Sequence, residues 1–317
     1  MKPKIIFSLS FILVTVIVIF LSSSGCKKHS DNNDENSSSV DTTELASVST
    51  DDDEVKGASE EAVMDANNVM SPKTTKSTEV LPCNVTVDSS SVVGDTISYI
   101  LTYNGYNCAN LLKRSGQVSV KRNIHIPWIS AGATVLVILN NFDVTNPHTG
   151  DSFLLNGMLT LKNVSGGRLS QIGNGITSVT HQDWGAIAVT FDNGSVYTWN
   201  FDRQRVFSGT QGMLRMRSSG LGSQSGYNAL ITWGTSRMGN IFYEQIPDYV
   251  EHWANCYYHA AAGKDYITLP AQLTKINATY GFDKNHQPLT GSDCPGSFRI
   301  DWTVGSQTGS FFLDLYP

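Results

Sequence analysis

The sequence predicts an all-β fold, an antiparallel meander forming a sandwich or an open barrel, preceded by a signal peptide and a disordered tether. From residue 81 onward, apolar and polar residues alternate with a period of two, as in strands that bury one face. Glycine and asparagine recur at short intervals between these runs, and no amphipathic helix of ordinary length intervenes. Residues 27–80 contain no aromatic residue and are rich in Ser, Thr, Asn and Asp.

The first element, residues 1–25, has the features of a signal peptide. Lys2 and Lys4 precede an apolar run of 17 residues at positions 5–21, and Ser-Ser-Ser-Gly leads into Cys26. This arrangement resembles a bacterial lipoprotein signal, in which cleavage precedes a cysteine that then carries lipid. A plain secretory signal and an uncleaved membrane anchor are the alternatives. We expect lipidation at Cys26 and an outer-membrane lipoprotein, on the periplasmic face or at the cell surface.

The second element, residues 26–80, is predicted to be a disordered acidic tether. Residues 27–80 carry 13 acidic residues against 5 lysines, and their few apolar residues cannot offset the entropy lost on ordering. Residues 60–70 have modest helical character, which we interpret as a transient helix. Residues 81–317 carry 15 acidic and 15 basic residues, so the excess of basic residues that is typical of a nucleic-acid-binding protein is missing.

The third element, residues 81–317, is predicted to be one antiparallel β domain of about a dozen strands. The strand register of one hairpin can be predicted. Around Asp192-Asn193-Gly194, a three-residue loop with Gly194 left-handed sets Val189 opposite Tyr197 and Ile187 opposite Trp199. This register collects the apolar residues on one face, whereas a two-residue turn separates them.

Four cysteines remain besides Cys26, in a compartment that permits oxidation. They allow three connectivities, of which sequence proximity favours Cys83 with Cys108 and Cys256 with Cys294. Buried free thiols are the alternative.

Signals for catalysis or metal binding are weak. His252, Cys256 and His259 have a spacing that zinc accepts, but no compact cluster supplies a fourth ligand, so we predict no metal and no cofactor. His181 and Asp183, two positions apart, are a chance pairing rather than a catalytic dyad. No nucleophile elbow, zinc-protease, P-loop or dinucleotide motif is present, so no catalytic residue is predicted.

The six tryptophans are candidate ligand-stacking residues. Core packing explains most of them, because aromatic side chains dominate β cores. Trp184 lies between Asp183 and Gly185 in a predicted loop, and it is the one that we expect to be exposed.

Several short motifs occur in a characteristic order. They are Cys83-Asn84-Val85-Thr86-Val87-Asp88, Asn107-Cys108, Arg114-Ser115-Gly116, Asn156-Gly157 with Asn163-Val164, Ile231-Thr232-Trp233, and Cys294 before a final hairpin. In this order, residues 83–317 resemble an uncharacterised lipoprotein domain found in Bacteroidota. The resemblance implies an envelope lipoprotein with a β-rich fold, and it brings no established activity.

These observations predict a non-catalytic interaction or structural module of the cell envelope, attached to the membrane through lipid on Cys26. The partner is a glycan or an envelope protein. The alternative is a carbohydrate-binding surface lipoprotein of a glycan-uptake system, which requires exposed aromatic side chains. A glycoside hydrolase is a third, weaker interpretation, because its two carboxylates cannot be placed from sequence.

Overall fold

The computed structural model describes residues 42–70, 82–147, 150–210, 212–256, 258–291 and 293–315, which all belong to one compact unit. One α-helix, α1, spans Thr43–Met70. The strands are β1 Val85–Val93, β2 Thr96–Tyr106, β3 Lys113–Asn123, β4 Ala133–Thr145, β5 Ser152–Asn163, β6 Ser178–Phe191, β7 Val196–Thr210, β8 Met213–Gly220, β9 Gly222–Gln224, β10 Tyr227–Thr235, β11 Ile241–Gln245, β12 Val250–Trp253, β13 His259–Leu269, β14 Thr274–Phe282, β15 Ser297–Val304 and β16 Gln307–Asp314. Short 3-10 helices lie at Leu169–Gln171, Ala254–Cys256 and Pro270–Gln272.

The strands form a single antiparallel sheet, which confirms the predicted meander. From β1 to β7 each strand pairs with the next one along the chain, and the order then continues β10-β11-β13-β14-β15-β16. The described strands therefore make one continuous sheet and not the two sheets of a sandwich. Closely spaced hairpins account for this order, because antiparallel neighbours need only short connections.

The sheet divides into two branches between β7 and β13. Residues 200–201 of β7 pair with β10, whereas residues 203–210 pair with β8. Likewise, residues 259–263 of β13 pair with β12, and residues 266–268 pair with β11. One branch is therefore β10-β11 and the other is β8-β12. A small cavity of about 10 Å³ lies where residues of both branches meet α1.

Helix α1 lies inside the curve of this sheet. Its side chains bond to Tyr103 on β2, Arg114 on β3, Arg203 on β7 and Glu244 on β11. Since these strands are spread across most of the sheet, the sheet must curl round the helix.

The helix and the inner face of the sheet share one apolar core. From the helix it contains Val55, Ala58, Ala62, Val63 and Ala66, and from the strands Leu101, Val118, Val137, Leu159, Ile187, Trp199, Ile267 and Ile276. Each fully buried Val, Leu or Ile stabilises the fold by roughly 1.5–3 kcal/mol relative to exposure. The small side chains at 58, 62 and 66 are fully buried, which lets the helix backbone approach the sheet closely.

The predicted tether is wrong over Thr43–Met70, and with it the boundary between a tether at 26–80 and a domain at 81–317. Composition suggested that this segment buries too little apolar surface. The helix instead buries polar side chains such as Asp52, Lys56 and Ser59, and the sheet supplies their partners. The rest of the predicted tether, residues 26–41 and 71–80, lies outside the described residues, as does the signal peptide.

The predicted β6-β7 hairpin register is confirmed. Val189 pairs with Tyr197 and Ile187 pairs with Trp199, and Gly194 has a φ of 81°. This left-handed conformation suits glycine, which has no Cβ to clash. The hairpin places the odd-numbered side chains of β7, including Arg203 and Arg205, on the inner face toward α1.

Candidate functional site

A cavity of about 570 Å³ lies along one face of α1, and we call it the helix cavity. The face consists of Asp53, Glu54, Gly57, Glu60, Glu61, Met64, Asp65 and Asn68. These positions follow the i, i+3, i+4, i+7 spacing of a single helical stripe. They are half-buried or exposed, whereas the intervening helix residues are buried against the sheet. The walls come from the β2-β3 loop, the start of β8 and the segment around residues 254–260.

Gly57 stands in the middle of this stripe. A Cβ at Gly57 would meet nothing within 4 Å, so the space over the helix is open there. Glycine in a helix interior costs roughly 0.5–1 kcal/mol relative to alanine. The absence of a side chain therefore enlarges the helix cavity at the expense of helix stability.

Most charged groups of the helix cavity are paired. Arg114 Nη1 lies 3.2 Å from Glu61 Oε2 and 3.0 Å from Asp65 Oδ2. Glu60 pairs with Arg205, and Lys56 Nζ lies 3.0 Å from Asp52 Oδ2.

Asp53 and Glu54 are the two cavity carboxyl groups that make no ion pair within 4 Å in the described part of the chain, although the charge of Lys56 opposes the rise in the pKa of Asp53. Burial is the main cause that raises the pKa of both, to about 7 for Glu54. Asn146 Nδ2 donates a hydrogen bond of 3.3 Å to Glu54 Oε1, which opposes this rise only in part. The helix cavity thus contains two carboxyl groups that no arginine or lysine of the described residues holds in a direct ion pair.

His252 on β12 brings a neutral imidazole to the helix cavity. Its Nδ1 donates to the carbonyl oxygen of Tyr258 at 2.9 Å, so Nε2 carries the free electron pair. The side chain is only 7% exposed, and Nε2 has no partner among the described residues. Burial lowers the pKa of His252 and keeps the ring uncharged near neutral pH.

Tyr258 and its neighbours hold that imidazole in place. Tyr258 has a φ of 61°, a conformation that is strained for a residue with a Cβ. Its amide donates to the Trp253 carbonyl at 2.9 Å, which closes the loop around His252. The disulfide Cys256–Cys294 fixes the same loop to the segment before β15.

Glu60 contacts a buried charged cluster that consists of Arg203 and Arg205 on β7 and Asp183 on β6. Arg203 donates to Asp183 Oδ2 from Nε at 3.0 Å and from Nη2 at 2.7 Å, and to Ser59 Oγ at 3.2 Å. Arg205 bridges the other oxygen of Asp183 to Glu60. Although burial alone raises the pKa of Glu60, the positive charges of Arg205 and Arg203 lower it to about 2. Glu60 is therefore a fixed anion and belongs to the packing of the helix.

Both predicted disulfides, Cys83–Cys108 and Cys256–Cys294, are confirmed. The loop after β2 folds back on itself, because Asn107 Oδ1 accepts hydrogen bonds from the amides of Leu111 and Leu112. Cys108 also lines the helix cavity.

Trp184 is 39% exposed, as expected, but it lies within β6 rather than in a loop. It pairs with Thr160 on β5 and with Asp202 on β7. It does not line the helix cavity. Successive side chains of β6 point to opposite faces of the sheet. Asp183 is buried on the inner face, so the next residue, Trp184, faces outward.

The remaining candidates are not assembled into a site. The described residues contain no group of three or more His, Cys, Asp or Glu side chains that could hold a metal ion. His181 is buried between Trp128 and Phe207, and Asp183 is held by two arginines. Cys26 lies outside the described residues. In the part of the chain that the structure describes, no helix is both long and apolar enough to cross a membrane.

Sequence reasoning missed Asp53, Glu54 and Gly57, because the segment was interpreted as a tether. The helical spacing of these residues with Glu60, Glu61 and Met64 was visible. A further signal stood on β7, where Arg203 and Arg205 share the parity of Phe201 and Phe207 and so require buried anions.

Comparison of the chain with family models, with curated proteins and with solved structures found no match.

Proposed function

We propose that this chain is a lipid-anchored cell-envelope protein that acts without catalysis, as a module that binds a small ligand in the helix cavity. The observation that carries the proposal is the cavity itself. Its volume of about 570 Å³ falls within the roughly 300–1,000 Å³ of small-molecule sites. Apolar side chains such as Met64, Leu169 and Leu214 line it beside polar and charged groups, and small-molecule sites likewise combine apolar surface with polar groups that orient the ligand.

The groups around the cavity favour binding over covalent catalysis. All four described cysteines are in disulfides, so none of them offers a thiolate nucleophile. Glu60 is paired with Arg205, whose positive charge helps to lower the pKa of Glu60 to about 2 and so removes it as a proton carrier. Lipid attachment at Cys26 and kinship with the Bacteroidota lipoprotein domain are parts of the proposal that rest on the sequence motifs.

The test compares two substitutions at Gly57 in the full chain. Gly57→Phe places a ring in the open space of the cavity, whereas Gly57→Ala is the matched control that leaves most of it free. A chemically diverse small-molecule library is screened by thermal shift. We expect compounds that raise the melting temperature of wild type and Gly57→Ala but not of Gly57→Phe. The cavity has no ligand-binding role if no compound distinguishes the two variants.

Anchoring is tested separately with Cys26→Ser in cells supplied with labelled palmitate. We expect label in wild type and none in the variant, and label in neither contradicts the lipoprotein assignment. Protease treatment of intact cells then places the domain outside the cell or in the periplasm.

A glycan-binding surface lipoprotein is the second candidate, and the exposure of Trp184 favours it. An exposed indole stacks on a sugar ring through its apolar face. Trp184→Ala should abolish retention on a glycan array while Gly57→Phe retains it. The opposite result supports the helix cavity.

A further inference from the structure

We propose that the helix cavity takes an organic amine, a ligand that carries an ammonium group on an apolar body, with the ammonium bound by Asp53 and Glu54 and by Nε2 of His252. This inference rests on the proposed function and names its ligand class.

The charges of the cavity select a cation. Asp53 makes no hydrogen bond or ion pair within the described residues, and Glu54 is bonded only to the uncharged amide of Asn146. Arg114 and Lys56, the two cations that line the cavity, are ion-paired with other carboxylates, although the charge of Lys56 also acts on Asp53. A ligand with an ammonium group supplies the missing positive charge, and it relieves the desolvation of two half-buried carboxyl groups.

An independent observation requires a donor as well as a charge. His252 is more than nine-tenths buried, it lines the cavity, and its Nε2 lacks a donor in the described part of the structure. Its Nδ1 proton is committed to Tyr258, so Nε2 accepts. Asp53 lies close enough to His252 for its carboxyl pKa to respond to the ring. A primary ammonium has three N–H donors, one for each of the three acceptors.

Part of the cavity wall is apolar. Met64, Leu112, Leu169, Leu214 and Ala260 all line it. An ammonium ion alone is close to a water molecule in size and occupies about 30 Å³, far less than the cavity holds. The ligand therefore carries an apolar body, whose burial contributes roughly 25 cal/mol per Å².

The experiment titrates the full chain in detergent with hexylamine and with 1-hexanol, its uncharged counterpart, by calorimetry. A titration into detergent alone corrects for partitioning. We expect hexylamine to bind at least tenfold more tightly than hexanol. Asp53→Asn should weaken hexylamine binding by at least tenfold. Asp301→Asn is the matched control, because Asp301 is paired with Arg299 and does not line the cavity, and it should change binding by less than threefold.

Equal binding of hexanol and hexylamine overturns the inference, and so does an unchanged affinity in Asp53→Asn. This failure is distinct from failure of the proposed function. Suppose that the library yields only uncharged or anionic compounds whose binding Gly57→Phe abolishes. This result contradicts the amine as the ligand class, but it still supports the cavity as a ligand site. If no compound of any class distinguishes Gly57→Ala from Gly57→Phe, both proposals fail.

Discussion

Lys56 Nζ on α1 lies 2.7 Å from Glu244 Oε1 on β11, an ion pair between residues 188 positions apart. Lys56 is the only basic residue of the helix, and Asp52 and Asp265 also lie within 4 Å of its ammonium group. Three carboxyl groups therefore share one buried cation. Burial raises the pKa of Glu244 well above its usual range and that of Asp265 to about 6.

The two partners of this pair should respond unequally to substitution. Lys56→Met leaves three buried carboxyl groups without a cation, and we expect the free energy of unfolding to fall by about 3–5 kcal/mol. Glu244→Gln keeps an oxygen that can accept from Lys56 and leaves Asp52 and Asp265 near its ammonium group, so we expect a loss below about 1.5 kcal/mol. Urea denaturation of the full-length variants at pH 7 measures both. Equal losses contradict the view that the shared cation contributes more to stability than any one of its three carboxyl partners.

Glu54 should make stability depend on pH. Its pKa rises from about 4.5 to about 7 on folding, so the folded state binds the proton more tightly. Its contribution is full below pH 4.5 and is lost as the pH rises through 7. Glu54→Gln should therefore match wild type at pH 4.5. At pH 8 the free energy of unfolding of the variant should exceed that of wild type by about 1–3 kcal/mol, after allowance for solvent screening of a half-buried group.

The control for Glu54 is Glu61→Gln on the same helical face. This substitution removes an ion pair with Arg114 instead of an unpaired carboxylate. Its stability at pH 8 should fall by up to about 1 kcal/mol. The free energy of unfolding of both variants is measured from pH 4 to 9. If both substitutions change it in the same direction at pH 8, Glu54 is not the unpaired group.

The two disulfides should stabilise the domain by similar amounts. They close segments of 25 and 38 residues, for which chain entropy gives about 3.5 and 3.9 kcal/mol. Cys256 is fully buried and Cys108 is exposed, so packing adds to the second bond. We therefore expect Cys256→Ala/Cys294→Ala to lose more stability than Cys83→Ala/Cys108→Ala in thermal unfolding. The reverse order contradicts the argument from burial.

Features that depend on local sequence were predictable. The β6-β7 register follows from three residues around Gly194 and the parity of the flanking apolar side chains, because a slip of one residue exposes the whole apolar face. The disulfides join cysteines that are near one another in sequence.

The helix and its cavity were not predictable in the same way, because their partners are remote. Ser59 bonds to Arg203 and Lys56 bonds to Glu244 only after β7 and β11 have taken their places in the sheet. A segment with eight acidic residues and one lysine appears unable to bury itself when it is considered alone. Inside the sheet, Glu61 and Asp65 pair with Arg114, and Glu60 shares Arg205 with Asp183 of β6.

The helix should therefore be essential for folding of the sheet. The sequence alone suggests a soluble domain that begins near residue 81. In the structure, removal of α1 exposes the inner apolar face and leaves Arg114, Arg203 and Arg205 without their helix partners. Breaking even one such buried pair costs about 3–5 kcal/mol, and whole domains are stable by only about 5–15 kcal/mol.

We expect a fragment of residues 42–317 to unfold cooperatively and a fragment of residues 82–317 to be unfolded or aggregated. Circular dichroism and thermal denaturation compare the two. A synthetic peptide of residues 42–70 added to the shorter fragment should restore cooperative unfolding, whereas the same peptide with Lys56→Met and Ser59→Ala should restore less, because two of its bonds to the sheet are lost. A stable, cooperative fragment of residues 82–317 on its own contradicts a central role for the helix, because the inner arginines must then be satisfied without it.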